Sequence, residues 1–239
     1  VNDLQNQVND NQINIPSDTQ TETENVAQEV QTEDSELEQK GIEIPQKNLN
    51  WKKLKGVNPD IYAWIYIPGT GVDYPVLQHP SDDSYYLNYN MNGTRGYPGC
   101  IYTEKATSKE FTDFDTVVYG HNMRNDTMFA SLHNYEDQTF FNNFPYIYVY
   151  TKEKVLVYEI FAAYKTDDAH ILHTNDFSTK EGRVSYLESI VKKSKNSPEV
   201  KDKIQLSVDS HLLTLSTCVS RQADKRFVVQ AILLNEEQL

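Results

Sequence analysis

A cysteine, a histidine and an arginine each stand at the end of an apolar, strand-like run, and together they could perform nucleophilic chemistry. Cys218 follows the run Thr214–Thr217 and precedes a polar stretch that contains bases. A thiolate is a strong nucleophile, but an unperturbed thiol is only a few per cent ionised at neutral pH, so nearby positive charge matters. A cysteine buried within a strand would instead be a small core residue. Taken alone, Cys218 is consistent with either role.

Arg226 is the cationic residue best placed to act beside Cys218. It opens the apolar run Arg226–Leu234, eight residues after the cysteine. If the two runs are antiparallel neighbours joined by the polar loop 219–225, the guanidinium lies close to the thiol. It could then donate two hydrogen bonds to a carbonyl oxygen that becomes an oxyanion. Arg221 is the alternative, but it lies within the predicted loop and not at a strand.

His121 is the histidine whose position resembles that of Cys218, because it follows the β-branched run Thr116–Tyr119 at a turn. Strand tips on opposed sides of a barrel can converge, which would bring this imidazole to the thiol as its acid/base partner. A single histidine is more often structural, and we interpret the other five in that way. Two of them have the spacing of zinc ligands, but no second ligand cluster accompanies them, so no metal site is predicted. The five are His79, His133, His170, His173 and His211, and the zinc-like pair is His170 and His173.

Short strand-like runs separated by turns make up most of the chain after residue 58. Eight such runs, few helices and no alternation of strands with helices predict a mainly β fold, a closed or nearly closed eight-stranded barrel. A polar connection at 151–154 predicts a hairpin between two of the runs. The runs are Tyr62–Ile67, Tyr74–Gln78, Gly99–Thr103, Thr116–Tyr119, Tyr146–Tyr150, Val155–Tyr164, Ile204–Thr217 and Arg226–Leu234.

Two helices are predicted beside the strands. Apolar residues at a spacing of three, from Trp51 to Val57, indicate a short N-terminal helix that ends before Pro59. A longer helix is predicted over Ser178–Ser194, between two late strands, because Ser178 and Glu181 have the spacing of a capping box. The face of this helix that we expect to be buried comprises Val184, Leu187, Ile190 and Val191.

Charge divides the chain unevenly. The net charge is −13, and residues 1–45 contribute −10 of it, with eleven acidic residues and one basic residue. Such a segment buries too little apolar surface to offset its ordering entropy, so we predict a flexible stalk or linker over 1–45 and a catalytic domain over 46–239. The remainder is nearly balanced in charge, which predicts no nucleic-acid partner. Only two cysteines are present, so a disulfide-stapled scaffold is not expected.

Three segments of the sequence resemble the active-site segments of sortases, the Gram-positive enzymes that attach proteins to the cell wall. They are Y-G-H-N-M around His121, T-L-S-T-C ending at Cys218 and K-R-F-V-V around Arg226. Within the family the chain resembles class B, through W-x-x-L-K-x-x-N-P-D-I-Y-A-W-I from Trp51 and I-P-G-T-G-V-D-Y-P-V-L-Q from Ile67. The resemblance covers about residues 48–235.

The resemblance implies a sortase-type barrel and a cysteine transpeptidase. Cys218 would attack the carbonyl after Thr in a C-terminal sorting peptide and form a thioacyl enzyme. His121 would protonate the leaving amine and later deprotonate an incoming peptidoglycan amine, while Arg226 would hold the carbonyl oxygen. Ser216, Thr217 and Asn122 would contact the substrate, and no cofactor is implied.

The resemblance also implies partners and a location. The partners are surface proteins that carry an Asn-Pro- or Ser/Pro-Pro-type motif and a stem-peptide or cross-bridge amine of peptidoglycan. The sequence begins at Val1 without an apolar leader, so we expect a mature or trimmed piece whose N-terminal membrane anchor is absent. The place of action would be the extracellular face of the membrane. Cys100 occupies a position where the family usually has a small residue, which favours a core thiol without a disulfide to Cys218.

Two alternative functions are consistent with parts of this evidence. A hydrolytic cysteine endopeptidase would use the same three residues, with water in place of the amine. A catalytically silent β-barrel binding module would make all three incidental.

Overall fold

The fold is a closed eight-stranded β-barrel, seen in a computed structural model that describes Leu37 and residues 40–194 and 205–238. Around the barrel the strands follow the order β1-β2-β3-β4-β7-β8-β6-β5. They are β1 (Ile61–Tyr66), β2 (Asp73–Leu77), β3 (Ile101–Tyr102), β4 (Asp115–Tyr119), β5 (Tyr146–Tyr150), β6 (Lys154–Asp167), β7 (Leu212–Val219) and β8 (Gln222–Gln238). The predicted mainly β, eight-stranded fold is confirmed.

Two pairs in the barrel are parallel and the others are antiparallel. The parallel pairs are β2 with β3 and β4 with β7. Strand β8 is the longest and is hydrogen-bonded to β6 along one side and to β7 along the other. The hairpin between β5 and β6 closes through Thr151, whose N–H donates to the Lys154 carbonyl at 2.8 Å, as predicted.

The interior of the barrel is filled because inward-facing residues of every strand are apolar. Ile65, Val118, Leu215 and Val229, from four different strands, are fully buried in one cluster. A second cluster lies outside the barrel wall, where a long helix packs against the sheet through Tyr186 and other buried residues. Both layers exclude water from the strands that carry the candidate active site.

Five α-helices and one 3₁₀ helix decorate the barrel among the described residues. The predicted N-terminal helix is present and buries Leu54, and the predicted long helix lies between β6 and β7. The helices are α1 (Trp51–Val57), α2 (Tyr85–Asn88), α3 (Gln138–Asn143), α4 (Ile171–Thr174) and α5 (Lys180–Ser194), with the 3₁₀ helix at Ala130–Glu136.

Two details predicted for α5 are wrong. The residue that caps the helix is Thr179, whose Oγ1 accepts from the Gly182 N–H at 3.1 Å, whereas Ser178 bonds backwards to Asp176. The buried face contains Tyr186 and Ile190, while Val184 and Val191 are exposed. The face is rotated because the Tyr186 hydroxyl donates to a buried carboxylate in β4, Asp115, at 2.6 Å.

The connection between β7 and β8 is also tighter than predicted. The polar segment expected as a loop, 219–225, is almost entirely strand, and only Ser220 and Arg221 form the turn. Arg221 has φ +62°, the left-handed conformation that such a tight turn requires. The polarity that suggested a loop reflects exposure of this end of the hairpin to solvent.

The chain divides into two compact units, Val1–Asn50 and Trp51–Leu239. In the first unit the described residues form a turn at Gly41, with the Ile42 N–H donating to the Leu37 carbonyl at 2.9 Å. The predicted stalk over 1–45 lies mostly outside the described residues, so the division into 1–45 and 46–239 stays a prediction. None of the helices in the described ranges has the length and apolar character that crossing a bilayer demands.

Candidate active site

A cavity of about 380 Å³ opens where β4, β7 and β8 end side by side. His121, Cys218 and Arg226, the three residues singled out from the sequence, all line it. Its other walls come from the segment 83–87, from β3 and from residues 166–171, which comprise the end of β6 and the residues after it. The cavity therefore brings three reactive side chains to one solvent-accessible space.

The strand register explains why three residues distant in sequence meet here. Strand β4 pairs in parallel with β7, and Tyr119 lies opposite Ser216. One strand further along, Cys218 lies directly opposite Arg226 in the antiparallel pair of β7 and β8. His121 and Cys218 are brought to one cavity, as predicted, but from neighbouring strands and not from opposed strand tips. Neighbouring strands lie about 4.8 Å apart, which gives a more rigid arrangement.

Cys218 is exposed although the residues on both sides of it, Thr217 and Val219, are buried. The register between β7 and β8 shifts between Cys218 and Val219, which marks a β-bulge. Side chains alternate along a strand, so Cys218 lies on the same face as Ser216, which lines the cavity, whereas Leu215 and Val219 face the core. The thiol of Cys218 is free.

The carbonyl group of Cys218 is held from the far side of the strand. Asn122 Nδ2 donates to this oxygen at 2.9 Å, and His133 Nε2 lies 3.2 Å from it. The His133 Nδ1–H donates to Glu136 at 2.7 Å, and Glu136 also pairs with Lys165 at 2.9 Å. Partial burial raises the pKa of Glu136, but the hydrogen bonds from His133 and Lys165 outweigh that effect, so its pKa is lowered.

Gly120 is needed where the chain leaves β4 to deliver His121. A Cβ at this position would lie 2.5 Å from Ile101 and 2.7 Å from Phe129, closer than packed atoms approach. The Gly120 N–H donates to the Ser216 carbonyl at 3.2 Å, and the Gly120 carbonyl accepts from Thr217 Oγ1 at 2.8 Å. The turn that presents His121 is therefore attached directly to the strand that presents Cys218.

The imidazole of His121 has a defined orientation. Its Nε2 lies 2.8 Å from the Leu87 carbonyl, and a carbonyl oxygen only accepts, so Nε2 carries the proton. Nδ1 is then the nitrogen that can exchange a proton with a bound ligand. Tyr97 packs edge-on against the ring, with 5.0 Å between centroids, and Gly99 allows the loop to approach because a Cβ there would lie 2.6 Å from the Tyr86 carbonyl oxygen.

The guanidinium of Arg226 is partly buried and partly engaged. Its Nη1 donates to the carbonyls of Ala223 and Lys225, both at 2.9 Å. These bonds fix the side chain at the cavity rim and leave its other N–H groups for a ligand oxygen, as far as the described residues show. Arg221, the alternative considered from the sequence, lies in the β7–β8 turn and does not line the cavity.

The three residues predicted to contact substrate have different positions. Ser216 and Thr217 line the cavity, although the Thr217 hydroxyl is occupied by Gly120. Asn122 lies on the other side, where it contacts the Cys218 carbonyl and His133 but is absent from the cavity wall.

Sequence analysis missed His133 and Glu136, which lie behind the nucleophile. His133 was interpreted as structural, and nothing in its neighbourhood in sequence distinguishes it. It reaches Cys218 from the 3₁₀ helix across 85 positions, while its ring stacks on Phe227 at 4.7 Å between centroids. Only the barrel topology brings these groups together.

The second cysteine belongs to the core. Cys100 is buried and free, and burial raises the pKa of its thiol to about 12. A thiol with that pKa is neither nucleophilic nor reactive at neutral pH. The expectation of a core thiol without a disulfide is confirmed.

Comparison with known proteins identifies the family. A family model described as the sortase domain matches residues 65–234. Sortase B of Listeria monocytogenes is 32% identical over 190 residues, which span 77% of this chain and 74% of that protein. Sortase B of Staphylococcus aureus is 28% identical over 186 residues, with the same coverage.

Solved structures agree with these relatives. The structure of Clostridium perfringens sortase B superposes with a TM-score of 0.69 at 35% identity, covering 77% of this chain and 99% of that one. A Staphylococcus aureus sortase B–substrate complex gives a TM-score of 0.67 at 28% identity, covering 77% and 84%. With the barrel and the cysteine-bearing cavity, these similarities show that the chain belongs to the sortase family, in class B, and is a cysteine transpeptidase that acts on proteins with a C-terminal sorting motif.

Proposed function

We propose that Cys218 is the nucleophile of this transpeptidase, with His121 as its acid/base and Arg226 as its oxyanion partner. The observation that carries the assignment is that these three side chains line one cavity from adjacent positions on β4, β7 and β8. Cys100 is excluded as the nucleophile because it is buried and its thiol pKa is raised.

In the first half-reaction, the Cys218 thiol gives its proton to His121 Nδ1, and the sulfur attacks the carbonyl carbon after Thr in the sorting motif. The carbonyl oxygen becomes an oxyanion, and the free donors of Arg226 stabilise it, a contribution of about 2.7–4 kcal/mol for one such donor. The C–N bond then breaks, and His121 gives a proton to the leaving amine. A thioester between Cys218 and the Thr carbonyl results.

In the second half-reaction, an amine of the cell-wall peptide attacks the thioester. His121 Nδ1 accepts the proton that the amine loses, the C–S bond breaks, and the thiolate leaves with an amide bond formed. General acid/base catalysis of this kind contributes typically 10²–10⁴-fold to the rate. The acceptor is a peptidoglycan stem-peptide or cross-bridge amine, and an N-terminal anchor ahead of the stalk holds the enzyme at the extracellular face of the membrane.

The substrate peptide lies in the cavity with its Thr beside Cys218. Ser216 and the backbone around Thr217 contact it, since both line the cavity next to the thiol. Asn122 acts on substrate only indirectly, through the Cys218 carbonyl that it binds. An Asn-Pro- or Ser/Pro-Pro-type pentapeptide is the motif class that we propose, and a sortase B–substrate complex from Staphylococcus aureus supports binding of a substrate by this barrel.

Mass spectrometry of the chain with a library of Thr-containing sorting peptides, with and without a diaminopimelate-like amine, tests the proposal. We expect cleavage after Thr and an amine-ligated product with the wild-type chain and with Cys100→Ala, but neither with Cys218→Ala. Cleavage without ligated product at any amine concentration would favour the hydrolytic alternative. No cleavage and no acyl adduct from a folded sample would favour the silent binding module.

A further inference from the structure

Glu104, His170 and His173 form a cluster on the cavity wall that the proposed catalytic chemistry does not use. Glu104 follows β3, whereas the two histidines flank the start of α4, in the segment after β6. One donor atom from each residue lies within 4.8 Å of the others. The sequence predicts no metal site because no further ligand accompanies the histidine pair. The fold supplies such a ligand, Glu104, from a distant segment.

The donor atoms already have nearly the spacing that a metal ion needs. His170 Nε2 lies 2.6 Å from Glu104 Oε1, and His173 Nε2 lies 3.6 Å from Glu104 Oε2. The two imidazoles stack with 3.8 Å between centroids and 12° between planes, so they approach the carboxylate side by side. Ligands about 2.0–2.1 Å from a tetrahedral zinc are roughly 3.3 Å apart, so each Glu104–histidine distance needs to change by less than about 1 Å, and one imidazole has to rotate out of the stack for both nitrogens to face the ion.

The carboxylate of Glu104 is held in place before any ion binds. The residue is 7% exposed, and its backbone carbonyl accepts from Gln78 Nε2 at 2.8 Å. The same Gln78 amide also binds Thr103 and Thr107, on both sides of Glu104. A ligand fixed by its own backbone loses little entropy on binding a metal, which favours affinity.

The negative charge of Glu104 gives a second reason to expect a bound cation. A buried carboxylate requires a compensating charge, and within the described residues its ion-pair partners are the two histidines alone. The neighbouring lysine, Lys105, pairs with Asp83 instead. A divalent ion bound between Glu104 and the two imidazoles would neutralise the carboxylate.

We propose that Glu104, His170 and His173 form a binding site for a divalent transition-metal ion, Zn²⁺ by its preference for imidazole and carboxylate ligands, that fastens the α4 segment to β3. Two imidazoles and one carboxylate are a donor set that zinc takes in proteins, with a fourth position left to water or ligand. Glu104 and His170 also line the cavity, so the ion would stiffen the wall that faces Cys218. This inference does not depend on the roles assigned to the catalytic residues.

Titration of the whole chain with Co²⁺, followed by visible absorption and by competition with Zn²⁺, tests the site. We expect a one-to-one complex, with affinity at least about tenfold weaker in His173→Ala and in Glu104→Gln. His173 is mostly exposed, so its removal leaves the fold intact, and His211→Ala, an exposed histidine elsewhere, is the matched control. Unchanged affinity in His173→Ala would overturn the proposal.

Because Cys218 lies in the same cavity, the thiol has to be separated from the cluster as a ligand. We expect Cys218→Ala to bind Co²⁺ like the wild type, without thiolate charge-transfer bands in either protein. Loss of binding in that variant would overturn the proposal in favour of capture by the thiol. Hydrogen exchange tests whether the ion holds the α4 segment to β3. Zn²⁺ should slow amide exchange in residues 168–175 of the wild type and should not slow it in His173→Ala.

Discussion

At the scale of single residues, the candidate site depends on a thiol and a guanidinium that face each other across one strand pair. Cys218 lies opposite Arg226, and the arginine is fixed by two carbonyls of its own strand. Lysine can supply charge at this position but not the planar, forked set of donors. A lysine at position 226 would therefore keep the positive charge and remove the directed hydrogen bonds, which distinguishes the two requirements.

Arg226→Lys is expected to lower kcat for peptide cleavage by about 10²–10³-fold, the typical cost of one oxyanion donor. The KM should change far less, because the lost interaction strengthens as the oxyanion forms. Steady-state kinetics with a fluorogenic sorting peptide measure both. Arg221→Lys, in the adjacent turn, is the matched control and should stay within twofold; an equal loss in both variants would contradict the assignment.

A second residue-level prediction concerns His133, a positioning residue that acts through the Cys218 carbonyl. His133→Ala removes one contact to that oxygen and weakens the orientation of Asn122, which binds both groups. We expect kcat to fall roughly tenfold with KM nearly unchanged, since a small misplacement of a nucleophile is costly to the chemical step.

A conservative substitution at His133 distinguishes a positioning role from a general loss of packing. His133→Gln keeps a side-chain oxygen that can accept from Asn122 and should recover part of kcat, whereas His211→Ala serves as a neutral control. Equal kcat in the Ala and Gln variants, or a change confined to KM, would contradict a positioning role. Thermal unfolding of each variant checks that the fold is retained.

At the scale of elements, the strands were predictable and the details of their ends were not. Alternation of apolar residues and turn chemistry indicated all eight strands, and the ends of β4 and β7 located His121 and Cys218. The polar residues 222–225 suggested a loop because solvent exposure and loop composition look alike in sequence. Glu104, His133 and the buried face of α5 depend on contacts between distant segments, which no local pattern encodes.

The start of α5 gives a test at this scale. Thr179→Ala removes the acceptor for the Gly182 N–H and should lower the free energy of unfolding by about 1 kcal/mol. Ser178→Ala removes only a bond to Asp176 outside the helix and should cost less. Urea denaturation followed by circular dichroism compares the two. A larger loss of unfolding free energy in Ser178→Ala than in Thr179→Ala would instead support the capping box predicted from the sequence.

At the scale of the whole molecule, a buried polar network joins the strands of the site at the end away from the cavity. Asp115 in β4 accepts from Thr214 in β7 at 2.9 Å and from Tyr186 in α5 at 2.6 Å. Gln230 in β8 donates to Tyr186 and Thr214, both at 3.0 Å. The strands that carry His121, Cys218 and Arg226 are thus held in register by one network.

The network predicts a pH dependence of stability. Burial raises the pKa of Asp115 to about 6, despite the hydrogen bonds from Tyr186 and Thr214, so the folded state holds this proton more tightly than the unfolded chain does. The resulting stabilisation is complete below the unfolded pKa near 4 and is lost as the pH rises through 6. Between pH 5 and pH 7.5 the loss amounts to roughly 1–2 kcal/mol.

Asp115→Asn removes the titrating group, so the wild type should gain stability relative to this variant as the pH falls from 7.5 to 5. Urea unfolding at both pH values measures the difference. A constant difference between the two proteins across that range would show that Asp115 does not titrate there.

Closure of the barrel limits how a peptide can be recognised. Because the described barrel is closed and β8 pairs with both β6 and β7, little sheet edge is left to which an extended peptide could add as a further strand. Backbone pairing of that kind accepts many sequences, whereas a cavity walled by side chains selects among them. Substrate preference can therefore be altered by substitutions in the segments 83–87 and 166–171 while the barrel, and the three residues it aligns, stay as they are.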